Sequence, residues 1–243
     1  MTPEAELSSL EVYAGPAAAS VVAIGTSAPP NSSFTALASG IIYNGTYIIT
    51  SYSAINPFLR QSTPLELLLL SADSTQRFFT PITSVVAREP SLDLIILQAD
   101  LNINTETDSS NSNNSSAISS ATFTPSSSLL VGQEVSLIGS LPDGRRSIST
   151  GVLSATNRAI PAPNNQLIKN MLQFDTDVPP LGVGGALVDS HGHVIGIPTT
   201  NSYSTTAATT RLRSNGVNFA VSSDTLIDTI PRLIAYGNLS GKR

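Results

Sequence analysis

The stretch Asp175–Asp189, DTDVPPLGVGGALVD, places prolines and glycines between two apolar runs. Its two prolines restrict φ and lack an N–H group, and its three glycines permit backbone angles that other residues avoid. This composition predicts a tight bend before a strand over Ala186–Asp189. Val183 occupies the tip of the bend, and a valine side chain performs no acid, base or nucleophilic chemistry.

The composition excludes several classes of function. The chain has 243 residues, of which 40% are hydrophobic and 12% are charged, with 12 Lys plus Arg against 17 Asp plus Glu. The net charge of -5 argues against nucleic-acid binding, because that function needs a basic surface. The absence of cysteine excludes disulfides, zinc-thiolate sites and thiol catalysis.

The ends and the middle of the chain carry few structural signals. No apolar run is long enough to span a membrane, so we expect a soluble chain. Residues 1–12 are expected to form a flexible or docking tail. This segment has two early glutamates and lacks the apolar stretch of a signal peptide, so no signal or transit peptide is expected in this chain. Asn104–Ser120 consists almost entirely of Ser, Asn and Thr and predicts a mobile loop.

The first half alternates short apolar runs with turn residues, which is typical of antiparallel sheets. Asn44-Gly45 lies between two apolar runs and predicts a two-residue hairpin turn. Ser51–Phe58 is expected to leave the hairpin as one helical turn that ends at Pro57. The predicted strands are Ser20–Ile24, Ser39–Tyr43, Tyr47–Thr50, Leu65–Leu70, Arg77–Thr80, Ile82–Ala87 and Leu94–Gln98.

The second half repeats this pattern and then changes to a helical period. Its predicted strands are Glu134–Ile138, Ser147–Ala155, Leu167–Phe174, Ala186–Asp189, His193–Pro198 and Gly216–Val221. Apolar residues at helical spacing predict a helix over 223–236, with an N-cap in Ser222–Asp224, a stop at Gly237 and a kink at Pro231. Many short strands in two halves favour an all-β fold of two antiparallel barrels.

A hydrolase with a nucleophile also needs a base and a group that orients the base. The only two histidines, His191 and His193, fall in a turn and are either exposed turn residues or a weak metal-binding pair. The glycines of 182–185 do not form a phosphate loop, because no lysine follows them. No cofactor and no metal are expected, and Arg145-Arg146 is predicted to be a solvated loop pair.

The ordered motifs resemble those of the trypsin-like Deg/HtrA serine proteases. SGIIYNGTYIITSYSAI (Ser39–Ile55) is similar to the family hairpin that ends in T-N-x-H-V, and LDLIILQAD (Leu92–Asp100) is similar to the D-L-A-V-L strand. LQFDTDVPPLGVGGALVDSHGHVIGIPT (Leu172–Thr199) is similar to I-Q-T-D-A-x-I-N-P-G-N-S-G-G-P-L. Further similar motifs extend the resemblance from about Val12 to Tyr236.

The resemblance implies a trypsin-like double antiparallel β-barrel with a C-terminal helix. One barrel is expected over 13–123, including the Ser/Asn-rich loop at 104–120. The second is expected over 124–243, with the closing helix at 223–236. No PDZ domain is expected, so the chain is most similar to the PDZ-less Deg proteases of the plant and algal thylakoid lumen.

Two of the three triad positions implied by the resemblance hold other residues. Ser53 stands at the position of the general base, where a hydroxyl cannot usefully accept a proton. Val183 stands at the position of the nucleophile. Asp93 matches the orienting aspartate, and it either caps a turn and bonds backbone N–H groups or remains a vestigial partner of Ser53.

The resemblance also assigns the oxyanion loop and a contact between protomers. The oxyanion donors match the N–H groups of Val183 and Leu181, with Gly182 and Gly184 as vestigial loop positions. Because Leu181 replaces a glycine of the family, we expect its peptide orientation to differ. Tyr13 lies near the aromatic that docks between protomers in Deg trimers, or is an ordinary core or rim tyrosine.

These replacements predict a catalytically inactive Deg-like pseudoprotease in the chloroplast, in the thylakoid lumen. Its expected role is structural or peptide-binding. The expected partners are Deg paralogues in a homo- or hetero-trimer or hexamer, or a photosynthetic complex such as photosystem II. The alternative is an active serine endopeptidase of the Deg family in thylakoid protein quality control.

Overall fold

The computed structural model contains two closed six-stranded antiparallel barrels and a C-terminal helix, which confirms the expected all-β fold class. The structure describes residues 17–27, 34–70, 77–101, 119–161, 167–179, 181–199 and 216–237. Tyr13 and most of the predicted loop at 104–120 lie outside the described residues.

The first barrel closes in the order β1-β2-β3-β6-β5-β4. Its strands are rich in isoleucine, valine and leucine, which suit a pleated and largely buried surface. A helix, α1 (Tyr52–Arg60), follows the third strand. The strands are β1 (Val21–Thr26), β2 (Thr35–Tyr43), β3 (Tyr47–Ser51), β4 (Glu66–Leu70), β5 (Arg77–Glu89) and β6 (Leu94–Ala99).

The second barrel repeats the neighbour order of the first, as β7-β8-β9-β12-β11-β10. The closing helix, α2 (Ser223–Tyr236), follows its last strand, begins after the N-cap Ser222 and ends at Gly237. The strands are β7 (Glu134–Ser140), β8 (Arg146–Pro161), β9 (Leu167–Phe174), β10 (Leu181–Val188), β11 (Val194–Pro198) and β12 (Asn218–Ser222).

The β2–β3 hairpin forms around Asn44-Gly45, but its loop has one residue more than predicted. Tyr43 pairs with Tyr47, so Thr46 also belongs to the loop. Asn44 and Gly45 take φ values of 50° and 70°, a region that asparagine and glycine tolerate better than other residues.

Proline does not end α1, so the predicted stop at Pro57 is wrong. The helix continues through Pro57 to Arg60. Ile55 is fully buried, and Phe58 and Leu59 pack against the interior of the first barrel. Burial of these apolar side chains offsets the helix hydrogen bond that a proline cannot make. Pro231 likewise lies inside α2, and the kink predicted there stays a prediction.

β5 is one long strand rather than the two that the sequence predicted. It runs through Pro81, which pairs with Glu66 of β4. Its pairing with β6 shifts register between Ile82 and Ser84 and again between Val85 and Ala87. Such bulges absorb the bending of a long strand around a barrel. β8 also extends further than predicted, with register shifts against β9.

Apolar side chains fill each barrel and the seam between the two barrels. Ile24, Ile48 and Leu97 belong to the interior of the first barrel, and Leu137 and Phe174 belong to that of the second. A third cluster joins the barrels and α2 and includes Ile41, Ile49, Ile138, Ala186, Val194, Leu226 and Ile230. In the described parts of the chain, no helix is long and apolar enough to cross a membrane.

Candidate functional site

Asp93 is a buried carboxylate in the turn between β5 and β6, with 3% of its surface exposed. It follows a short 3-10 helix, Pro90–Leu92, and adopts a left-handed conformation with φ of 55°, which aspartate tolerates better than most residues. Its carbonyl oxygen accepts a 3.0 Å hydrogen bond from the Tyr52 N–H. The turn is therefore tied to the first residue of α1.

Both carboxylate oxygens of Asp93 accept hydrogen bonds from neutral donors. Oδ1 accepts from the Ser53 N–H at 2.7 Å. Oδ2 accepts from the Ser51 hydroxyl at 2.8 Å and the Ser53 hydroxyl at 3.1 Å, and also from the Thr199 hydroxyl. These donors come from β3, α1 and the residue that follows β11, so the buried carboxylate connects the two barrels.

Ser51 links the carboxylate to the start of α1. It is the N-cap of the helix, and its side-chain oxygen accepts from the Ala54 N–H at 3.3 Å. The same oxygen lies 3.0 Å from Ser53 Oγ. Asp93 therefore contacts both the backbone and the side chain of Ser53.

The glycine-rich segment 182–185 forms a bulge in β10 of the second barrel. Leu181 pairs with Ser140 and Ala186 pairs with Ile138, so residues 182–185 all lie opposite Gly139. The sequence predicted a bend that precedes a strand. In the structure the bend lies inside β10, because residues on both sides of it pair with β7.

Gly184 brings this bulge against the first barrel. Its φ is 81°, and a Cβ at this position would lie 2.3 Å from Thr50 Oγ1 and 2.6 Å from the Ser39 carbonyl oxygen. Only glycine fits this conformation at this distance. Thr50 lies three residues before Ser53, and Val183 precedes Gly184, so Ser53 and Val183 belong to the two segments that meet at this contact.

The Ser39 hydroxyl bridges β7 and β10 beside Leu181. It accepts from the Ser140 N–H at 2.8 Å and donates to the Leu181 carbonyl oxygen. The Leu181 side chain packs on an apolar patch of the first barrel that includes Ala36 and Leu68. These contacts restrain the carbonyl group and the side chain of Leu181, the residue whose N–H the sequence predicted to be an oxyanion donor.

The site brings a carboxylate and hydroxyls together without an imidazole. Ser53 contacts Asp93 directly, and Val183 is half-buried and carries only methyl groups. No imidazole lies between Ser53 and the carboxylate to accept a proton. Among the three matched triad positions, the group beside a hydroxyl that can accept a proton is the carboxylate of Asp93, next to Ser53.

His191 and His193 lie in the β10–β11 turn. Oδ1 of Asp189 accepts from the N–H groups of both histidines at 2.9 Å. Their Nδ1 atoms lie 3.9 Å and 3.4 Å from Oδ2 of Asp189. The aspartate shapes the turn, and no group of three or more His, Cys, Asp or Glu among the described residues is arranged to hold a metal ion.

Arg145 and Arg146 do not form the solvated pair predicted from the sequence. Arg145 is exposed and pairs with Asp143 at 2.5 Å. Arg146 is half-buried, and its Nε–H donates to the Val21 carbonyl oxygen at 3.2 Å. Arg146 is the first residue of β8, and its bond to Val21 directs its side chain toward the first barrel.

Sequence reasoning missed Ser39, Ser51 and Thr199. Their hydroxyls hold Leu181 and Asp93 in place. The chain is rich in serine and threonine, and nothing in the sequence separates these three from the rest. Their partners lie far away in the chain, so only folding identifies them.

Known proteins include sequence relatives of this chain. A family model described as a trypsin-like peptidase domain matches residues 38–197. The chain is 32% identical over 195 residues to "Protease Do-like 5, chloroplastic" of Arabidopsis thaliana, a match that covers 79% of this chain and 54% of that protein. It is 31% identical over 212 residues to "Serine protease Do-like HtrA" of Lactococcus lactis, covering 83% and 46%.

Solved structures show the same fold. "Crystal structure of Deg5" superposes with a TM-score of 0.69 at 26% identity and covers 92% of this chain and 93% of that one. "HtrA-type protease AlgW with decapeptide" has a TM-score of 0.69 at 19% identity and covers 94% and 68%, which shows the fold alone. The chain spans about half the length of the curated relatives it matches.

Proposed function

We infer the function of this chain from its family, because it belongs to the trypsin-like peptidases and is homologous to the Deg/HtrA proteases. A triad peptidase needs a nucleophile, a base and a group that orients the base. We propose that this chain is a catalytically inactive Deg-like pseudoprotease, which acts as a structural or peptide-binding subunit of a protein assembly.

The observation that carries the proposal is the direct contact between Ser53 and Asp93. The residue at the base position donates both its N–H and its hydroxyl to the carboxylate. Loss of one triad member reduces the rate by about 10⁴-fold or more in well-studied serine proteases. Here Val183 also replaces the nucleophile, so the proposal rests on two separate losses.

The rival function is an active serine endopeptidase in thylakoid protein quality control. One contact favours it, because the Ser53 hydroxyl lies 3.1 Å from a carboxylate oxygen of Asp93 and resembles a nucleophile beside a base. The same oxygen also accepts from Ser51 and Thr199. This carboxylate acts as a shared acceptor for hydroxyls, and we therefore favour the inactive scaffold.

The proposed compartment is the plastid, and within it the thylakoid lumen. Support comes from chloroplastic Deg relatives of Arabidopsis thaliana. The proposed partners are Deg paralogues in a trimer or hexamer, or a photosynthetic complex such as photosystem II. Tyr13 is the proposed contact between protomers, and light scattering of the Tyr13→Ala variant tests it. An unchanged mass would contradict that role.

A fluorophosphonate probe tests the loss of catalysis. This probe reacts covalently with activated serine hydroxyls, and we expect no labelling of the pure chain. Ser53→Ala serves as the matched control, because it removes the one hydroxyl that the rival function uses. Labelling of the unmodified chain that Ser53→Ala abolishes would establish the rival function and overturn the proposal.

A further inference from the structure

Asn44 lies at the exposed tip of the β2–β3 hairpin and is followed by Gly45, which is exposed as well. A Cβ on Gly45 would meet nothing within 4 Å, so the space around this peptide bond is open. The Gly45 N–H donates to Ser120 Oγ at 2.8 Å. The Thr46 N–H donates to the Tyr43 carbonyl oxygen at 3.4 Å. Local opening of the tip therefore breaks few contacts in the described part of the chain.

An asparagine that precedes a glycine is chemically labile, because the glycine has no side chain to shield its backbone nitrogen. The nitrogen of Gly45, once it has lost its proton to solvent, attacks Cγ of Asn44. A bond forms between these two atoms, the Cγ–Nδ2 bond breaks, and Nδ2 takes up a proton and leaves as ammonia. Water then opens the succinimide ring. Opening at Cγ gives aspartate, and opening at the backbone carbonyl carbon gives isoaspartate.

The following residue separates Asn44 from two other exposed asparagines that share its left-handed backbone. Asn157 and Asn170 have φ values of 58° and 57°, against 50° for Asn44. They precede Arg158 and Met171, whose side chains crowd the nitrogen that would attack. Among the described asparagines with a left-handed backbone, Asn44 alone precedes a glycine.

Asp143 precedes Gly144 and could close the same ring, but its turn is held by packing. A Cβ on Gly144 would lie 2.1 Å from Leu68 Cδ2. The Arg145 N–H donates to Oδ1 of Asp143 at 3.0 Å, and the Arg145 Nε–H donates to Oδ2 at 2.5 Å. Ring closure at an aspartate needs the protonated carboxyl, and the bond from the Arg145 N–H is the main cause that lowers the Asp143 pKa. The fold therefore protects Asp143 and leaves Asn44 open.

We propose that Asn44 is a site of spontaneous deamidation, which replaces its amide by the carboxylate of aspartate or isoaspartate. Ser120 slows the reaction, because its oxygen holds the proton on the Gly45 nitrogen and fixes that peptide plane. A hydroxyl cannot usefully remove this proton, so Ser120 restrains the tip and is not a base. The reaction uses none of the triad positions and applies equally to a protease and to a pseudoprotease.

The reaction also acts on the segment that joins the barrels. Residues 119–124 bridge the two barrels through backbone hydrogen bonds to Ile42 and Val194. Isoaspartate lengthens the main chain of the hairpin tip by a methylene group, which displaces the Gly45 N–H from Ser120. We therefore expect the segment 119–124 to open more readily in the isoaspartyl form.

Peptide mapping by mass spectrometry tests the proposal on the purified full chain, after incubation at mildly alkaline pH in water enriched in heavy oxygen. We expect the carboxyl group formed at Asn44 to carry the heavy oxygen, because solvent water opens the ring. Isoaspartyl methyltransferase should label the same site. Mapping separates it from Asn215-Gly216, whose asparagine lies outside the described residues. Asn44→Gln is the matched control, since it keeps an amide that would need a larger ring, and it should not react at this position.

Removal of the Ser120 hydroxyl tests the restraint. Ser120→Ala should raise the rate at Asn44 by about two- to tenfold, the effect of one lost neutral hydrogen bond. Ser128→Ala removes an exposed hydroxyl that does not contact the hairpin, and it should leave the rate unchanged. Circular dichroism melts exclude unfolding as the cause. Equal rates in Ser120→Ala and in the wild type would overturn the role of Ser120.

A synthetic peptide with the sequence of the hairpin tip gives the rate without the fold. Conversion of the peptide but not of the folded chain would overturn the proposal. Isoaspartate that forms at Asp143 as fast as at Asn44 would also overturn it, because the fold would then not distinguish the two sites. Hydrogen exchange in residues 119–124 should be faster in the separated isoaspartyl form than in the fresh chain. Unchanged exchange would overturn the link to the segment between the barrels.

Discussion

Ser53 donates its N–H to Oδ1 of Asp93 at 2.7 Å and its hydroxyl to Oδ2 at 3.1 Å. In a working triad an imidazole stands between the aspartate and the nucleophile. Here the residue at the base position is bonded directly to the carboxylate, which also accepts from Ser51 and Thr199. These bonds join β3, α1 and the residue after β11, so we interpret Asp93 as a structural acceptor.

Asp93→Ala should lower the free energy of unfolding by about 3 kcal/mol, because it leaves buried donors of Ser51 and Thr199 without an acceptor. Chemical denaturation measures this change. Asp228→Ala is the control, since it breaks an exposed pair with Arg232 that contributes about 0.5 kcal/mol or less. Equal effects of the two variants would show that the Asp93 network is not stabilising.

Gly184→Ala should destabilise the chain more than Gly132→Ala does. Both glycines have positive φ, at 81° and 92°. An added Cβ on Gly184 meets Thr50 Oγ1 at 2.3 Å, whereas one on Gly132 meets nothing within 4 Å. We expect about 1 kcal/mol from backbone strain at Gly132 and about 3 kcal/mol at Gly184. Thermal or chemical unfolding distinguishes them, and similar values would contradict the close contact of the barrels.

Ser39→Ala should loosen the loop that carries Leu181. The hydroxyl joins the Ser140 N–H to the Leu181 carbonyl, and its removal leaves both buried groups unpaired. We expect a loss of about 2 kcal/mol in unfolding free energy and faster hydrogen exchange near Leu181. Ser128→Ala removes an exposed hydroxyl from a loop and is the control. Unchanged exchange in Ser39→Ala would show that the bridge does not restrain the loop.

Placing a histidine at position 53 and a serine at position 183 should not restore full reactivity toward a fluorophosphonate probe. In Ser53→His/Val183→Ser the Leu181 peptide remains held by Ser39 and by apolar packing. Adding Leu181→Gly should raise the rate of fluorophosphonate labelling by about 10²-fold, the contribution of one oxyanion donor. Labelling rates of the double and triple variants measure the difference. Equal labelling rates would show that Leu181 does not limit the reactivity of the restored site.

Asp143 should titrate below its ordinary range. The hydrogen bond from the Arg145 N–H is the largest cause and lowers its pKa. Burial is the second cause and raises the pKa, while the Arg145 side chain and the charges of Arg145 and Arg77 lower it further. The ionised form therefore stabilises the fold at neutral pH, and this contribution is lost as the pH falls below the ordinary value of 3.8 and through the lower folded pKa.

Carboxyl carbon shifts measured against pH test this prediction. Arg145→Gln should raise the pKa of Asp143 only in part, because the backbone N–H, the largest cause, remains. Arg232→Gln, which lies in a different ion pair, is the control and should leave Asp143 unchanged. A full return to the ordinary value in Arg145→Gln would assign the shift to the side chain instead.

Local patterns were enough to predict most elements of the fold. Alternating apolar residues and the Asn44-Gly45 turn indicated strands, and the change of period after Ser222 indicated α2. Predictions failed where packing outweighed a local rule. Pro57 lies inside α1 and Pro81 inside β5, because apolar burial and β-bulges compensate for the missing N–H groups.

The sequence alone predicted, through its resemblance to the Deg/HtrA proteases, that Ser53 and Val183 stand at the base and nucleophile positions, and it showed that glycines surround the tip of the bulge. These are properties of single positions and of short motifs. Tertiary structure decided what surrounds them: Thr199 reaches Asp93 across 106 positions of the chain, and Ser39 reaches Leu181 across 142. Such contacts depend on how the two barrels meet, and that arrangement follows from the burial of many apolar residues together rather than from any local pattern.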